Sequence, residues 1–347
     1  MLTKTNLTRT EHCVMVILGI LLLFSFPASL QAQEKLSKRL MRAAKPVIWR
    51  DPGNVAARDL RYGPGSPKLA PAPPFRFIEE DKSGSSPKFE VTDARGVKWV
   101  VKLGDEAQSE TVSSRLVWAA GYFAEESYYF KRARIRGLPK LSRGKEFVLP
   151  RGIVRGARFE PRRNTVVRGD KWDWNKNPFE DTAELDGLKV LMILLNNFDA
   201  RADNNRILYT RRGRMLEAHY VVTDLGATLG KADGLGGTRT KNNLRDFLST
   251  RFVLGVDDGA VKFDFDTRPT GFGVLTVFYP PYYLGEVKKE KAMRGIPVEH
   301  ARWIGSHLSQ LSDVQLRAAF NAAGYDQGTT NGYVRALLQR IGQLLEL

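Results

Sequence analysis

The chain has 347 residues, 42% of them apolar, which is enough to bury a sizeable core and excludes wholesale disorder. Its formal charge is +16, which predicts attraction to anionic partners, with an anionic membrane surface or an acidic glycan as candidates. A solvated basic surface would give the same charge. No basic run is interleaved with aromatic residues, which argues against a nucleic-acid partner.

The N-terminal segment has the pattern of a secretory signal. Lys4 and Arg9 precede an apolar run at 14–26, and small residues follow up to Ala32. Thirteen apolar residues are too few to span a bilayer comfortably. We therefore expect 1–32 to be a signal peptide, cleaved after Ala32, and the protein to be periplasmic or secreted.

One feature of the N-terminal segment favours the opposite topology. Five basic residues follow the apolar run closely: Lys35, Lys38, Arg39, Arg42 and Lys45. Because positive charge favours the cytoplasmic side, an uncleaved anchor with the domain in the cytoplasm is the alternative. The single cysteine, Cys13, lies before the apolar run, so a mature chain would contain no disulfide.

The next segments predict a tether and then a small sheet. Residues 33–74 are basic and rich in proline and glycine, which is typical of an extended tether. Residues 75–161 are predicted to form a β-rich N-lobe with one helix at 106–124. Its expected strands are 75–78, 89–92, 97–103, 128–136 and 146–159.

The second half, 162–347, is predicted to be mainly helical. A strongly apolar helix at 182–195 precedes a hairpin, a glycine-rich loop at 226–240 and an irregular aromatic stretch at 272–284. The C-terminal helices are expected at 298–311, 312–323 and 331–345. The predicted fold class is α+β, with a β-rich lobe and an α-helical lobe on either side of a cleft.

Lys102 ends an apolar strand on the same face as Val100. A lysine in that position either reaches water or faces an anion. Glu110 lies on the following helix on a face of small residues, which allows close approach to the sheet. We expect Glu110 to lie within reach of Lys102, and Glu106 is the competing acid.

The densest polar cluster follows the apolar helix. Asp199 and Asn204 are five positions apart, a spacing that lets a carboxylate meet a substrate hydroxyl while an amide oxygen coordinates magnesium. The simpler interpretation is a helix C-cap and turn, in which Asn and Asp are common.

Asp224 leaves an apolar strand and is followed by Gly226, which permits a sharp turn. An acid held at the end of a strand suits a metal ligand, although such turns are also common by chance. A separate turn at 82–88 contains Gly84, Ser85 and Ser86, whose backbone N–H groups could bind phosphate oxygens. A plain hairpin turn is the alternative for that segment.

Other chemistries lack their residues. The four histidines are too scattered for a zinc motif, and no thiol remains beyond Cys13. The chain also contains no Gly-x-Ser-x-Gly nucleophile elbow.

With these residues the chain resembles the atypical branches of the protein-kinase-like superfamily, which include HipA-type, phosphoinositide and secretory-pathway kinases. The resemblance covers about 74–230 and rests on Val100-Val101-Lys102, Glu110, Asp199, Asn204 and Asp224-Leu225-Gly226. No His-Arg precedes Asp199, Leu225 stands where phenylalanine is usual, and neither a standard glycine-rich loop nor Ala-Pro-Glu is present. These departures exclude the ordinary Ser/Thr/Tyr kinases and leave the substrate open.

The resemblance implies a role for each site residue. Lys102 would hold the nucleotide phosphates and Glu110 would pair with it, while Asp199 would be the catalytic base. Asn204 and Asp224 would be the metal ligands, with ATP and Mg²⁺ (or Mn²⁺) as cofactors. The predicted function is an ATP-dependent phosphotransferase with an unknown acceptor. The alternative is a secreted pseudokinase, or a non-catalytic envelope module that binds an acidic partner.

Overall fold

The chain runs through a strand-rich part and then a helix-rich part. The structure, a computed structural model, describes the residues 38–84, 86–163, 166–231, 239–265, 267 and 280–347, without the side chains of 280–283. Its helices and strands in chain order are α1 (Lys38–Arg42), β1 (Lys45–Val47), β2 (Phe75–Asp81), β3 (Lys88–Thr92), β4 (Lys98–Leu103), α2 (Glu106–Ala119), β5 (Tyr128–Arg136), β6 (Val148–Leu149), β7 (Ile153–Pro161), β8 (Val167–Arg168), α3 (Ala183–Leu194), β9 (Asn205–Arg212), β10 (Met215–Val222), α4 (Leu244–Ser249), β11 (Val253–Asp257), β12 (Ala260–Phe263), α5 (Pro280–Ala292), α6 (Val298–Leu308), α7 (Asp313–Ala322) and α8 (Gln327–Leu345). This content confirms the predicted α+β class.

The first sheet closes on itself. Its strand order is β4-β3-β2-β5-β7-β6, and β4 also pairs with β7. Five strands therefore surround an interior of apolar side chains, among them Phe89, Trp99 and Phe159, each at most 1% exposed. Because side chains alternate along a strand, the residues between these positions point outward.

The outward face of β4 and β7 carries the charged residues of the site. In the antiparallel register, Lys102 lies opposite Arg158 and Val100 lies opposite Glu160. The predicted common face of Val100 and Lys102 is thus confirmed. Helix α2 covers this face.

Helix α2 is buried on nearly all sides. Val112, Leu116 and Val117 pack in the large core formed with the helix-rich part of the chain. Glu110 is turned towards the sheet and is only 2% exposed. The helix thus joins the sheet, through its polar side chains, to the helical core, through its apolar ones.

The second sheet supports the polar cluster of the second half. The hairpin β9–β10 turns at Gly213, whose positive φ of 60° suits glycine, and β8 pairs with β9. Helix α3 is capped by Thr182, which precedes it and whose side chain accepts a hydrogen bond from Leu185 N. The helix and the hairpin are both predicted from the sequence and are confirmed.

The prediction of an extended tether is wrong for the described residues 38–74. Strand β1 pairs in parallel with β10, and three apolar side chains enter the large core, namely Ile48, Val55 and Leu60, each at most 2% exposed. The Trp49 indole also donates a 2.8 Å hydrogen bond to Ala120 O. Burial of these few apolar residues fixes a segment whose composition is otherwise that of a linker.

Some predictions fall outside the described residues. These are the signal peptide at 1–32, Ser85, residues 232–238 of the glycine-rich loop and most of the aromatic stretch. Within the described ranges, no helix has the length and apolar character needed to cross a bilayer.

Candidate active site

Lys102 and Glu110 meet, as the sequence predicts. The Lys102 Nζ atom lies 3.3 Å from Glu110 Oε1 and 3.4 Å from Oε2. Arg158, from β7, approaches the same carboxylate at 2.8 Å and is itself only 1% exposed. Glu110 therefore holds two cations side by side on the outer face of the sheet.

The protonation of Lys102 and of Arg158 depends on the Glu110 carboxylate that both contact. Burial is the largest influence and disfavours the ammonium form of Lys102, but the carboxylates of Glu110, Glu160 and Asp224 together outweigh it and raise the pKa of Lys102. Burial is also the largest influence on Arg158 and opposes its guanidinium charge, but the surrounding acids, Glu110 first among them, together outweigh it and raise the pKa of Arg158. Both cations remain charged at neutral pH.

The cluster continues to two further acids. Arg158 also lies 3.1 Å from Glu160 Oε2, and Arg168 bonds to Glu125 and approaches Glu160 at 3.7 Å. Burial is the largest influence and works against the Glu160 carboxylate, but the surrounding cations, Arg158 first among them, together outweigh it and lower the pKa of Glu160. Burial, together with the charge of Glu160, raises the pKa of Glu125 to about 8.

Helix α2 also holds the segment that contains Asp224. Ser109 Oγ donates to Gly226 O at 2.8 Å, and Ser113 and Thr228 share a hydroxyl hydrogen bond of 2.8 Å. A Cβ on Gly226 would lie 2.8 Å from Glu106 Cβ. Gly226 is thus required for close packing against the helix, and its φ is not in the left-handed region that the predicted sharp turn implies.

Asp224 lies near the ion pair of Lys102 and Glu110. Its charge raises the pKa values of Lys102 and Arg158, and it adds to the burial that opposes ionisation of Glu110. The Asp224 carboxylate also accepts a 3.3 Å hydrogen bond from Gly226 N. The structure therefore joins the strand lysine, the helix glutamate and the acid after β10 in one electrostatic cluster.

Asp199 and Asn204 form a second part of the site. Asn204 Nδ2 donates to Asp199 O at 2.8 Å and to Asp199 Oδ2 at 2.9 Å. Arg201 Nε lies 2.7 Å from the other carboxylate oxygen. Asp199 is thus held in one orientation by its own loop, and its side chain is 25% exposed.

Thr223 joins the two halves of the site. Its backbone N–H and its hydroxyl both donate to Asn204 O, at 2.9 and 3.0 Å. Asp224 is the next residue, so the two predicted metal ligands lie on adjacent segments. The turn interpretation of Asp199 and Asn204 is also correct, because a short 3₁₀ helix spans Ala202–Asn204.

The available oxygens suit a hard cation. Both Nδ2 hydrogens of Asn204 are used on Asp199, and within the described part of the chain Oδ1 has no donor. That oxygen and the Asp224 carboxylate are ligands of the kind that Mg²⁺ prefers, with water and phosphate completing its shell. No group of three His, Cys, Asp or Glu residues suited to a metal occurs among the described residues.

The turn at 82–88 lies beside the site. Ser86 Oγ donates to Glu106 Oε2 at 2.8 Å, and Lys241 approaches the other oxygen of Glu106 at 2.5 Å. Gly84 has a φ of 66°, and its carbonyl accepts a 2.6 Å hydrogen bond from Arg143. Glu106 thus accepts a hydrogen bond from the turn, whereas Glu110 forms the ion pair with Lys102. A phosphate-binding role for Gly84 and Ser86 stays a prediction.

The sequence analysis missed two buried cations. Arg158 lies between Ala157 and Phe159, which are both buried, and that alternation is a signal for an outward residue opposite β4. Lys289, on α5, is 2% exposed, lies 2.7 Å from Glu286 and donates to the carbonyl of Phe198. That carbonyl precedes Asp199, so Lys289 positions the loop that carries it. No local pattern indicates this contact, because 91 residues separate the two partners.

The comparisons with known proteins give similarities at low identity. No family model and no curated protein matches the chain. A solved structure of the Golgi casein kinase is 11% identical, with 80% of this chain and 72% of that chain covered and a TM-score of 0.36. A second structure of the Golgi casein kinase, with Mn/ADP bound, is 9% identical over 100% of this chain and 91% of that chain, with a TM-score of 0.39.

The third similar structure is bacterial. The Helicobacter pylori proinflammatory kinase CtkA is 13% identical over 77% of this chain and 97% of that chain, with a TM-score of 0.32. The three solved structures are of kinases.

Proposed function

We propose that the chain transfers a phosphoryl group from ATP to a hydroxyl acceptor. One observation carries the proposal. The segment Thr223–Asp224 is bonded to Asn204, and the charge of Asp224 acts on Lys102 and Glu110. A cation for the nucleotide phosphates, two oxygen ligands for magnesium and a carboxylate for the acceptor then lie within one cluster.

Lys102 would bind the nucleotide phosphates. Glu110 keeps the ammonium group of Lys102 charged and oriented, and Arg158 contacts the same carboxylate. The ion pair between Lys102 and Glu110 is therefore already formed before the nucleotide binds. Such preorganised charge stabilises a transition state because the cost of arranging it is met during folding.

Asp199 would accept the proton of the acceptor hydroxyl. Asn204 and Arg201 hold its two oxygens from one side, and each carboxylate oxygen keeps a further lone pair for the acceptor. Asn204 Oδ1 and Asp224 would hold the divalent cation, Mg²⁺ or Mn²⁺. When bound, such a cation neutralises negative charge on the transferred phosphate.

We infer that the closed sheet and the helical part act as two lobes, with boundaries near 75–161 and 162–347. What supports this is that the two parts have separate apolar cores. Helix α2 contributes polar side chains to the first part and apolar ones to the second. We also propose that 1–32 directs export, which N-terminal sequencing of the mature protein would test by a first residue at Gln33.

The first test is thermal melting with ATP and Mg²⁺ or Mn²⁺. A ligand that binds only the native state stabilises it by about 2.7 kcal/mol at a hundredfold excess over its Kd, so the midpoint should rise. Asp224→Asn should remove that rise. Asp203→Asn is the matched control, because Asp203 lies next to Asn204 but is exposed and paired with Lys171. An equal rise in wild type and Asp224→Asn would overturn the proposal.

The second test separates an enzyme from a pseudokinase. ATP labelled at the γ-phosphate reports phosphoryl transfer, and ATP labelled at the α-phosphate reports transfer of AMP. Label from the γ position alone, on the protein itself or on an acceptor, is the expected result. A midpoint rise without transfer of either label would identify a nucleotide-binding pseudokinase.

A further inference from the structure

A group of arginines covers the outer face of the closed sheet, away from the site. All are exposed, and none makes an ion pair or a side-chain hydrogen bond with any described residue. They are Arg76, Arg132, Arg134, Arg136, Arg151 and Arg155. From 131 to 155 the chain has nine lysines and arginines and a single acid, Glu146. We call these six residues the arginine surface.

The strand register places like charges opposite each other on the arginine surface. Arg132 of β5 is the direct partner of Arg155 of β7, and Arg136 of β5 is the partner of Arg76 of β2. Like charges in directly opposite positions destabilise a sheet. An anion bound between them would relieve this repulsion, and no acid among the described residues forms an ion pair with any of these four arginines.

Part of the arginine surface lines a groove of about 920 Å³. Arg134, Arg136 and Arg151 contribute to its walls, together with Pro73, Pro74 and Leu138. The loop at its edge is closely packed, since a Cβ on Gly152 would lie 2.5 Å from Ile135 O. Arg151 has a φ of 62°, which is uncommon for a residue other than glycine. Its side chain therefore projects from a strained turn.

The groove is separate from the proposed active site. Tyr129 of β5 lies opposite Arg158, and Arg136 ends the same strand. Seven residues of extended chain correspond to roughly 23 Å. The groove therefore does not belong to the cluster around Lys102.

We propose that the arginine surface binds an extended acidic segment of a partner protein, with carboxylates or phosphates at alternate positions. Arg132, Arg134 and Arg136 project from alternate positions of one strand, so their spacing is roughly 6.7 Å. A second extended chain with acidic side chains at alternate positions repeats its charges at the same interval. Arginine is suited to such partners because its planar fork binds carboxylate and phosphate in a bidentate manner.

Other anionic partners fit this surface less well. None of the described residues that line the groove is aromatic, so it offers no platform on which nucleic-acid bases could stack. A membrane surface would contact the exposed strand face but would leave the arginines of the concave groove without headgroups. The proposal is independent of the proposed phosphotransferase activity, since it concerns binding alone.

The test measures the binding of labelled peptides to the full chain by fluorescence anisotropy. The probe is a Glu-Ser repeat of about twelve residues, long enough to pass along the strand. Its matched control has the same composition with all glutamates in one block. The alternating peptide should bind more tightly, and its affinity should fall as salt is raised.

Variants locate the binding on the chain. Arg134→Gln, Arg136→Gln and Arg151→Gln together should weaken binding about tenfold, since each exposed ion pair contributes roughly two- to threefold. The control removes three other exposed arginines without described partners, by Arg245→Gln, Arg302→Gln and Arg335→Gln. That control should retain affinity within about twofold, because its three arginines lie outside the arginine surface, while the net charge falls equally in the two variants.

Three outcomes would overturn the proposal. Equal losses in the two triple variants would assign the binding to net charge. Equal affinity for the alternating and the block peptide would remove the argument from spacing. Tight binding to phosphatidylserine vesicles or to single-stranded RNA, lost in the groove variant while peptide binding is weak, would assign the surface to that partner instead.

Discussion

On the outer face of the closed sheet, the basic side chains of one region are paired with carboxylates, and those of a second region are not. Around Lys102 and Arg158, each cation lies within 3.3 Å of the carboxylate of Glu110. Near the start of β7, Arg155 lies opposite Arg132 of β5, and neither has a carboxylate partner in the described structure. The difference follows burial, because Arg158 is 1% exposed, whereas Arg132 and Arg155 are open to solvent.

A buried cation must be neutralised by an acid of the fold, whereas an exposed cation can remain without an ion-pair partner. A buried guanidinium without a counter-ion would cost several kcal/mol, so the sequence must supply acids beside Arg158. An exposed arginine is screened by water and salt, so the sequence need not supply any acid there. The ion pairs of the first region therefore fix the positions of Lys102 and Arg158. The guanidinium groups of the second region can bind an external anion.

The largest expected effect is on the proposed phosphoryl transfer. Lys102→Met should lower kcat by about 10²–10³, the usual loss when one preorganised electrostatic group is removed. The variant should still fold, because Arg158 remains 2.8 Å from Glu110 and compensates its charge. Steady-state kinetics with γ-labelled ATP measures the effect. Lys98→Met is the control, since Lys98 is an exposed residue of the same strand. Equal activity of both variants would contradict the role of Lys102.

The next effect is on the free energy of unfolding. Arg158→Met should lower it by about 3–5 kcal/mol, because Glu110 and Glu160 would keep buried charge with less compensation. Urea unfolding measures this loss. Arg162→Met, which removes an exposed ion pair to Glu90, should cost only about 0–1 kcal/mol.

A double variant shows whether the loss comes from buried charge. Adding Glu110→Gln to Arg158→Met removes the stranded carboxylate and should recover part of the stability. If the double variant is less stable than Arg158→Met by the full cost that Glu110→Gln has on its own in the wild type, the two residues are not coupled. The contrast between the buried and the exposed region would then not depend on desolvation.

The third effect depends on pH. Because the pKa of Glu125 rises from 4.5 when unfolded to about 8 when folded, the native state binds more protons between these values. The free energy of unfolding should therefore fall as pH rises from about 4.5 to 8, and the loss should be complete above 8. Urea unfolding across this range should show a flatter profile for Glu125→Gln. Glu126→Gln leaves Glu125 in place and should keep the wild-type slope, so identical profiles for the three proteins would contradict the assignment.

Local patterns were sufficient for the parts of the site that lie close in sequence. Alternation along β4 and the period of α2 predicted that Lys102 and Glu110 meet, and they are eight residues apart. The spacing of Asp199 and Asn204 likewise predicted a polar loop after an apolar helix. Such contacts follow from the geometry of one or two elements, so the sequence determines them directly.

Contacts between distant segments could not be predicted in this way. Arg158 reaches Glu110 only because β4 pairs with β7, and strand register is set by the closure of the whole sheet. The supposed tether was misjudged for a related reason. Ile48, Val55 and Leu60 are too few and too irregularly spaced to give a period, yet each is buried by elements far along the chain.

The smallest expected effect tests the repulsion on the arginine surface. Arg155→Glu would place an acid directly opposite Arg132 and replace a like-charge pair with an attractive one. Opposite-charge pairs across strands contribute roughly 0.2–1 kcal/mol, so this surface change should raise the free energy of unfolding by that amount. Arg302→Glu, on α6 and outside the sheet, gives the same change in net charge. Equal stabilisation in both would mean that relief of the overall positive charge, and not the register of β5 and β7, is responsible.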